Sequence, residues 1–476
     1  MFSNIKFPRL VICRGCLSIR EKIRHEFTDR ILFVLATTGK SVAYGEVVNG
    51  RFNIEVIFSS TGIRITRLYG VTETLQRIHL DTFVSFVFGT IKTFSALPTP
   101  KQLAFIKREA INPALEKGIN FYGHIRGVLG LGNSARNHIL AMHSVGIPIM
   151  ALNIPFARAE MEFPTIPMTE KPRYSTSVIQ VQPEGLIKFL AHVNPAAFQG
   201  RWTVAAWVWE LDQVPKNWTM FESLFDEIWT LSEFSATAFR KTFSKPVQVV
   251  PSCISDLSSY LIYEKSYFQL PNNTYTYLYI FDSASYFDRK NPFALVRAFQ
   301  QAYGNSIDVL LVLKVGNPQF DPLNMEKLRN LASHTSNIRI YDTAFTDSEI
   351  YSLINACDCY VSPHRSEGFG LTPAEALYLH KAVIATDYGS TTDYLSEETG
   401  YPIEYKRVEL EQDYGPYQKG SHWADISIEH LAHFLIHVRK HPEEARLKAL
   451  KGGEYIRMHY SYDAIGKKIK ELVMRN

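Results

Sequence analysis

The stretch Ser366-Glu367-Gly368-Phe369-Gly370-Leu371-Thr372-Pro373-Ala374-Glu375-Ala376-Leu377 decides the fold. An apolar, strand-like segment at 359–362 runs into it, and helix-forming residues leave it. The order is therefore strand, loop, helix, with Thr372 expected as the N-cap and Pro373 at the first helical position. Gly368 and Gly370 let the backbone come close to a ligand, and the amides at the helix start offer donors and partial positive charge to a phosphate. Glu375 is expected in the first helical turn, where its carboxylate can accept paired bonds from the vicinal hydroxyls of a ribose. Glu367 stands at the entry of the loop, placed to meet sugar hydroxyls or charge developing at an anomeric carbon. A lone Glu in a first turn needs no ligand, since it complements the helix dipole. The whole string asks for more.

Outward from it, strand-like and helix-like segments alternate on both sides. Strands are predicted at 275–281, 309–315, 338–341, 359–362 and 382–385, with helices at 292–303, 322–334, 347–356 and 372–379. A first alternating series precedes it, with strands at 120–124, 148–153, 203–209, 227–231 and 247–250 and helices near 134–145 and 233–242, the latter capped by Ser232. Such alternation predicts parallel sheets with crossover helices, and two such units in tandem place a ligand in the cleft between them. Residues 427–476 read as closing helices, with Leu431, Phe434, Leu435 and Val438 at helical spacing. The loop after the strand at 275–281 carries Asp288-Arg289-Lys290-Asn291-Pro292, a basic pair before a helix. The earlier series opens on a Gly-rich loop, Gly127-Val128-Leu129-Gly130-Leu131-Gly132-Asn133. Its amides could meet a phosphate or a second substrate.

The string from Glu367 to Glu375 resembles the Glu-x7-Glu signature of retaining GT-B glycosyltransferases, in particular glycosyltransferase family 4. The resemblance covers about residues 118–476. It implies an α/β fold of GT-B type, two doubly wound Rossmann-like domains facing a cleft. The domains expected are a β-rich part at 1–117, an acceptor-side domain at 118–256 and a nucleotide-sugar domain at 257–476. It further implies donor binding by Arg289, Lys290, Gly368, Phe369, Gly370, Leu371, Thr372 and Glu375, with Glu367 catalytic. Gly130, Leu131 and Gly132 match the acceptor-side or phosphate loop. The family's Arg for the diphosphate is missing, because Ser283 to Ser285 stand in its place; Arg289 is the substitute the sequence offers. The family's His facing the anomeric carbon is also missing. Trp209-Glu210 occupies that position, so Glu210 is the second catalytic candidate, with a cap or hinge role equally open. Residues 385–390 with Asp393 match the loop that closes the donor pocket, and 341–345 with 347–356 match the segments that pack the base. Trp207 and Trp209 read as core residues ahead of a sugar-stacking platform.

What the resemblance implies is transfer of a hexose from a nucleotide-diphosphate sugar to a glycan, lipid-linked or protein acceptor, with retained configuration. No Asp-x-Asp pair ends a strand, so no metal and no cofactor beyond the nucleotide-sugar co-substrate is expected. Two other classes stay open: a catalytically silent nucleotide-sugar-binding paralogue, and an NAD-dependent oxidoreductase. Gly130-x-Gly132-x-x-Ala135 fits a loose dinucleotide fingerprint. The next strand, however, ends at Asn153 and not at the acidic residue that would hold an adenosine ribose.

The remaining sequence bounds these readings. With 476 residues, 46% hydrophobic and 21% charged, the chain has the composition of a globular protein of about three domains. Five cysteines imply no disulfide framework, and Cys13-Arg14-Gly15-Cys16 lacks a second ligand pair. Cys357 and Cys359 read as alternating along a buried strand. Net charge is +4, too mild to predict nucleic acid. It is unevenly spread: residues 1–117 hold 17 Lys and Arg against 9 Asp and Glu, leaving 34 against 38 for the rest. That basic part suits contact with an acidic partner, peripheral contact with the inner face of a membrane, or a solvated surface. The longest apolar run, 83–91, is too short to span a bilayer and 1–20 lacks a signal-peptide core, so a cytoplasmic location is expected. Strands are predicted at 31–36, 40–47, 51–59, 63–69 and 82–88, with a boundary at Leu97-Pro98-Thr99-Pro100.

Overall fold

A computed structural model describes residues 110–475 except 129, 155–160, 162, 164–171 and 193–197, and before them the backbone of the strands between Leu10 and His79. The chain divides into one compact unit of Met1–Arg108 with Gln182–Gln199 and a second of Glu109–Val181 with Gly200–Asn476.

In the first unit, strands β1 (Leu10–Cys13), β2 (Cys16–Ile19) and β7 (Ile78–His79) form a small antiparallel sheet. Strands β3 (Ile31–Thr37), β4 (Ser41–Val48), β5 (Arg51–Ile57) and β6 (Arg64–Val71) form a four-stranded meander with a bulge between Ile54 and Val56. The strand expected at 82–88 and the Pro-rich boundary lie outside the described residues.

The second unit holds two six-stranded sheets, all of whose pairings are parallel. The first comprises β8 (Ile119–Gly123), β9 (Ile149–Asn153), β10 (Thr176–Gln180), β11 (Trp202–Ala206), β12 (Glu227–Thr230) and β13 (Val247–Val249), in the order β13-β12-β11-β10-β8-β9. The second comprises β14 (Tyr275–Asp282), β15 (Val309–Gly316), β16 (Ile338–Tyr341), β17 (Cys359–Ser362), β18 (Ala382–Thr386) and β19 (Tyr401–Ile403), in the order β16-β15-β14-β17-β18-β19. Helices supply the cover that such two-sided burial requires. In the second unit they are α1 (Gly130–Ser144), α3 (Glu233–Thr242), α4 (Phe287–Lys290), α5 (Pro292–Tyr303), α6 (Pro322–Ala332), α7 (Asp347–Ala356), α8 (Leu371–Tyr378), α9 (Ile428–Lys440), α10 (Pro442–His459) and α11 (Tyr462–Met474). Helix α2 (Pro183–His192) belongs to the first unit.

Three departures from the sequence reading matter. Strand β10 was not expected, because Thr176, Ser177 and Gln180 are polar, yet it lies beside β8 and is buried throughout. Asn120 of β8 makes that burial feasible: its Nδ2 donates to the carbonyls of Tyr174 (2.8 Å) and Thr176 (3.1 Å), and its Oδ1 accepts from the Tyr174 N–H (2.9 Å). Strand β11 ends at Ala206, so Trp207 to Asp212 form a loop and not the strand end predicted. Cys357 is the C-cap of α7, and only Cys359 lies on a strand.

The closing helices split their loyalties. Helix α9 packs on α5, whereas α11 returns to the first sheet, where Ile465, Ile469 and Leu472 join the core of Ile119, Ile139 and Met142. Gly466 permits this contact, since a Cβ there would lie 2.2 Å from the Ala141 carbonyl oxygen. An antiparallel hairpin, β20 (Tyr405–Glu409) and β21 (His422–Ile426), completes the unit.

Candidate functional site

In an open parallel sheet, a ligand site lies where the strand order reverses, because neighbouring connections leave toward opposite faces. In the second sheet that point lies between β14 and β17. The loop after β14 carries Arg289 and Lys290, and the loop after β17 carries Glu367, so the topology alone brings these residues together. The two loops are joined by the Arg365 N–H to the Arg289 carbonyl (2.7 Å) and by Asn291 Nδ2 to the Pro363 carbonyl (3.1 Å). Asn291, at φ 54°, turns the chain from α4 into α5.

Glu367 forms an ion pair with Lys290, and its other oxygen lies 3.3 Å from Arg289 Nη1. Burial works to raise the Glu367 carboxyl, but the Lys290 ammonium and the Arg289 guanidinium outweigh it and hold it at about 2. Burial in turn pulls the Lys290 ammonium below its usual value, with Glu367 opposing. Arg289 is only 4% exposed. Its Nη1 donates to the Ser366 carbonyl (2.7 Å), its Nε donates to the Ser285 carbonyl (3.3 Å), and its guanidinium lies 5.9 Å from the Tyr417 ring centroid. Arg289 thus ties the two loops together, and Lys290 is the more available cation of the pair.

The motif helix begins two residues earlier than expected. Helix α8 starts at Leu371 with Gly370 as N-cap, at φ 77° and ψ 64°, and Thr372 is not the cap. The reason is twofold. A Cβ on Gly370 would sit 2.6 Å from the Tyr394 hydroxyl, and Thr372 Oγ1 already accepts from the Tyr360 hydroxyl (2.6 Å). Pro373 is therefore the third helical residue. Glu375 is the fifth and leaves the first turn. Pro373 has no N–H, and the Ala374 N–H bonds the Gly370 carbonyl (3.3 Å). The first-turn donors available to an anion are those of Leu371 and Thr372.

Gly368 answers to packing. A Cβ there would meet Val208 Cγ1 at 2.7 Å and Glu210 Cγ at 3.4 Å. Phe369 is buried against Tyr394 and Tyr460, with ring centroids 5.8 and 5.6 Å away. Gly389, at φ 87°, would place a Cβ 3.0 Å from both the backbone N and O of Glu367, and the Ser390 N–H donates to the Glu367 carbonyl (3.1 Å). The loop after β18 therefore supports Glu367 from behind. Asp393 at its end accepts from the Glu233 N–H (2.8 Å) at the start of α3.

Glu210 joins this cluster from the loop after β11. Ser366 Oγ donates to its carbonyl, and its carboxylate adds to the field on Arg289 and Lys290. The same loop is held further on: the His422 N–H donates to Asp212 Oδ1 (3.0 Å), Arg407 pairs with Asp212, and Tyr417 packs 5.4 Å from Trp209. Trp207 and Trp209 are buried, their indole N–H groups donating to the carbonyls of Val181 (2.9 Å) and Gln213 (2.7 Å).

Glu375 lies in a second, drier part. It is 5% exposed and accepts from the Tyr351 hydroxyl (3.4 Å). Burial, reinforced by Asp347, raises its carboxyl to about 8. Tyr351 also bonds Asn133, which places the start of α1 next to this pair. That helix begins at Gly130 and not near Ser134, so Gly130, Leu131 and Gly132 form its first turn. A Cβ at Gly132 would lie 2.1 Å from the Gly127 carbonyl oxygen, whereas one at Gly130 would meet nothing within 4 Å. Asn153, at the end of β9, accepts from the Arg126 N–H (3.0 Å) through Oδ1, a backbone duty unlike that of a ribose-binding carboxylate.

Sequence reasoning passed over His364 and Tyr417. His364 is fully buried, bonded to Ser362 Oγ (2.9 Å) and the Tyr388 carbonyl (3.1 Å), and burial lowers its imidazole to about 4. Its place between β17 and Glu367 was the available signal; Tyr417 lies in a loop with no periodicity to mark it. Among the described residues no group of three or more His, Cys, Asp or Glu side chains is arranged to hold a metal ion. No described helix is long and apolar enough to cross a membrane.

Known proteins resemble the chain. The sequence model of the family described as "Glycosyl transferases group 1" matches residues 266–410. The lipopolysaccharide core biosynthesis mannosyltransferase LpsB of Rhizobium meliloti is 50% identical over 51 residues, 10% of this chain and 14% of that protein's length. Anabaena Alr3699/HepE, solved in complex with UDP and glucose, superposes over 76% of this chain and 100% of its own, with a TM-score of 0.55 and 14% identity. Sucrose-phosphate synthase from Thermosynechococcus elongatus covers 76% of this chain and 99% of its own, with a TM-score of 0.56 and 16% identity. The chain has the GT-B fold.

Proposed function

We propose that the chain transfers a hexose from a nucleoside-diphosphate sugar to a glycan, with retention of configuration, as a relative of glycosyltransferase family 4. The observation that carries the reading is the meeting of Lys290, Glu367 and the start of α8 at the strand-order reversal of the second sheet. The match to the glycosyl transferases group 1 model over 266–410 spans all three. A lipid-linked or protein acceptor fits the same chemistry.

Lys290 and the Leu371 and Thr372 amides meet the charge of the departing diphosphate, a route that needs no divalent cation. Glu375 holds the ribose hydroxyls. Glu367 and Glu210 stand beside the reacting centre, where a carboxylate stabilises an oxocarbenium-like carbon. Transfer proceeds by internal return. The anomeric carbon–oxygen bond to the diphosphate breaks, and the acceptor hydroxyl attacks on the same face. Its proton passes to the leaving phosphate oxygen.

The stereochemistry tests this directly. With an α-linked donor, the NMR coupling of the product's anomeric proton should report an α linkage. A β-linked product would contradict it.

A further inference from the structure

Lys314 is an anomaly in the second sheet. It lies at the C-terminal end of β15, in register with Tyr341 of β16, and is 3% exposed. An ammonium carries three donors and no acceptor. Among the described residues its only hydrogen bond is to the carbonyl of the adjacent Val315 (3.2 Å), and it sits 4.8 Å from the Phe345 ring centroid. Its charge has no carboxylate within ion-pair distance among the described residues. The carboxylates whose field reaches it are Asp342, Asp282 and Glu349, and each is engaged elsewhere. Asp342 holds Arg329 (2.6 Å), Asp282 accepts from Asn317 Nδ2 (2.9 Å), and Glu349 accepts from the Thr346 N–H (2.7 Å) and the Tyr267 hydroxyl (2.7 Å). A buried ammonium left this way is expensive unless a ligand completes its shell.

Its place suggests which part of a ligand does so. Glu375 is joined through Tyr351 to α7, and Glu349, about half a turn before Tyr351 on that helix, is among the groups whose field reaches Lys314. The start of α7 links the two groups, since Asp347 acts on Glu375 and Glu349 acts on Lys314, so a base attached to a ribose at Glu375 would meet Phe345 and Lys314 if it ran along α7 toward its N-terminus. Uracil and guanine present a keto oxygen on their pairing edge where cytosine and adenine present an amino group. An ammonium can donate to the first and has nothing to offer the second.

We propose that Lys314 reads the base of the donor, selecting a nucleotide with a keto oxygen at C4 of a pyrimidine or C6 of a purine, uracil or guanine, over one with an amino group there, cytosine or adenine. This rests on the donor-site reading above. Calorimetric titration of UDP, GDP, CDP and ADP into wild-type protein, Lys314→Met and Lys314→Gln tests it. In the wild type, UDP or GDP binds about tenfold or more tighter than both CDP and ADP, the scale of one charge-assisted hydrogen bond. Lys314→Met collapses that ratio to within about twofold, and Lys314→Gln, whose amide oxygen accepts, raises CDP and ADP relative to the wild type. Equal wild-type binding of all four nucleotides overturns the inference and leaves the donor site standing. So does an unchanged ratio in Lys314→Gln, or a uniform loss of all four in a variant with an unaltered melting temperature. Binding of none of the four by the wild type removes the donor site itself.

Discussion

At Glu367 a carboxylate already occupies the cations that a diphosphate would need. Lys290 and Arg289 hold it at about 2 against the effect of burial. On the proposed function, a donor draws Lys290 away and so frees Glu367 to face the sugar. Glu367→Gln separates the two roles. Nucleoside diphosphate should bind roughly three- to tenfold tighter, because the competing anion is gone. Turnover should fall about a hundredfold or more, because a charge beside the reacting carbon is lost. Calorimetry and initial rates on the same preparation read both, and weaker diphosphate binding by the variant would refute the competition. Glu375 poses the opposite case. Its folded value, about 8, exceeds the ordinary 4.5, so its protonated form is the native one at neutral pH. Its contribution to stability is full below about 4.5 and is lost as pH rises toward and through 8. Ribose hydroxyls donating to it favour the carboxylate, so nucleotide binding at pH 7 should release about one proton. Binding enthalpies measured in buffers of different ionisation heat show this, and Glu375→Gln should abolish it.

At the scale of elements, the glycines separate packing from chemistry. Gly132 holds the first turn of α1 against the Gly127 carbonyl, whereas Gly130 at the tip touches nothing. Gly132→Ala should destabilise the protein by about 2 kcal/mol and Gly130→Ala by less than about 0.5 kcal/mol, read from denaturant midpoints. Equal effects would mean that the loop at 124–127 yields freely. The local order strand–loop–helix was legible because it is written in consecutive residues, as at Cys359–Ser362 and the motif after it. The boundary at Thr372 misled because the competing partners, Tyr394 and Tyr360, arrive from other segments. The strand Thr176–Gln180 was hidden for the same reason: its polar residues become tolerable inside a sheet only through distant partners such as Asn120. Lys314, lodged in an apolar run, carried no sign that it would have no counter-ion among the described residues.

For the whole second unit, the alternation of strands and helices fixed two parallel sheets before any contact was known. The crossing of α11 to the first sheet could not be read, since amphipathic spacing says that a helix packs but not against what. The grip of the hairpin β20–β21 on Asp212 was equally invisible, because it joins residues some two hundred positions apart. The uneven charge, +8 over residues 1–117 and −4 over the rest, remains a property of the sequence. The central claim concerns the site at the strand-order reversal of the second sheet. It is tested by incubating the full chain with a panel of UDP-, GDP-, ADP- and CDP-sugars and measuring released nucleoside diphosphate. The account predicts release from at least one uracil- or guanine-bearing donor, lost in Glu367→Gln. No release from any donor, together with no binding of any nucleoside diphosphate, would contradict it.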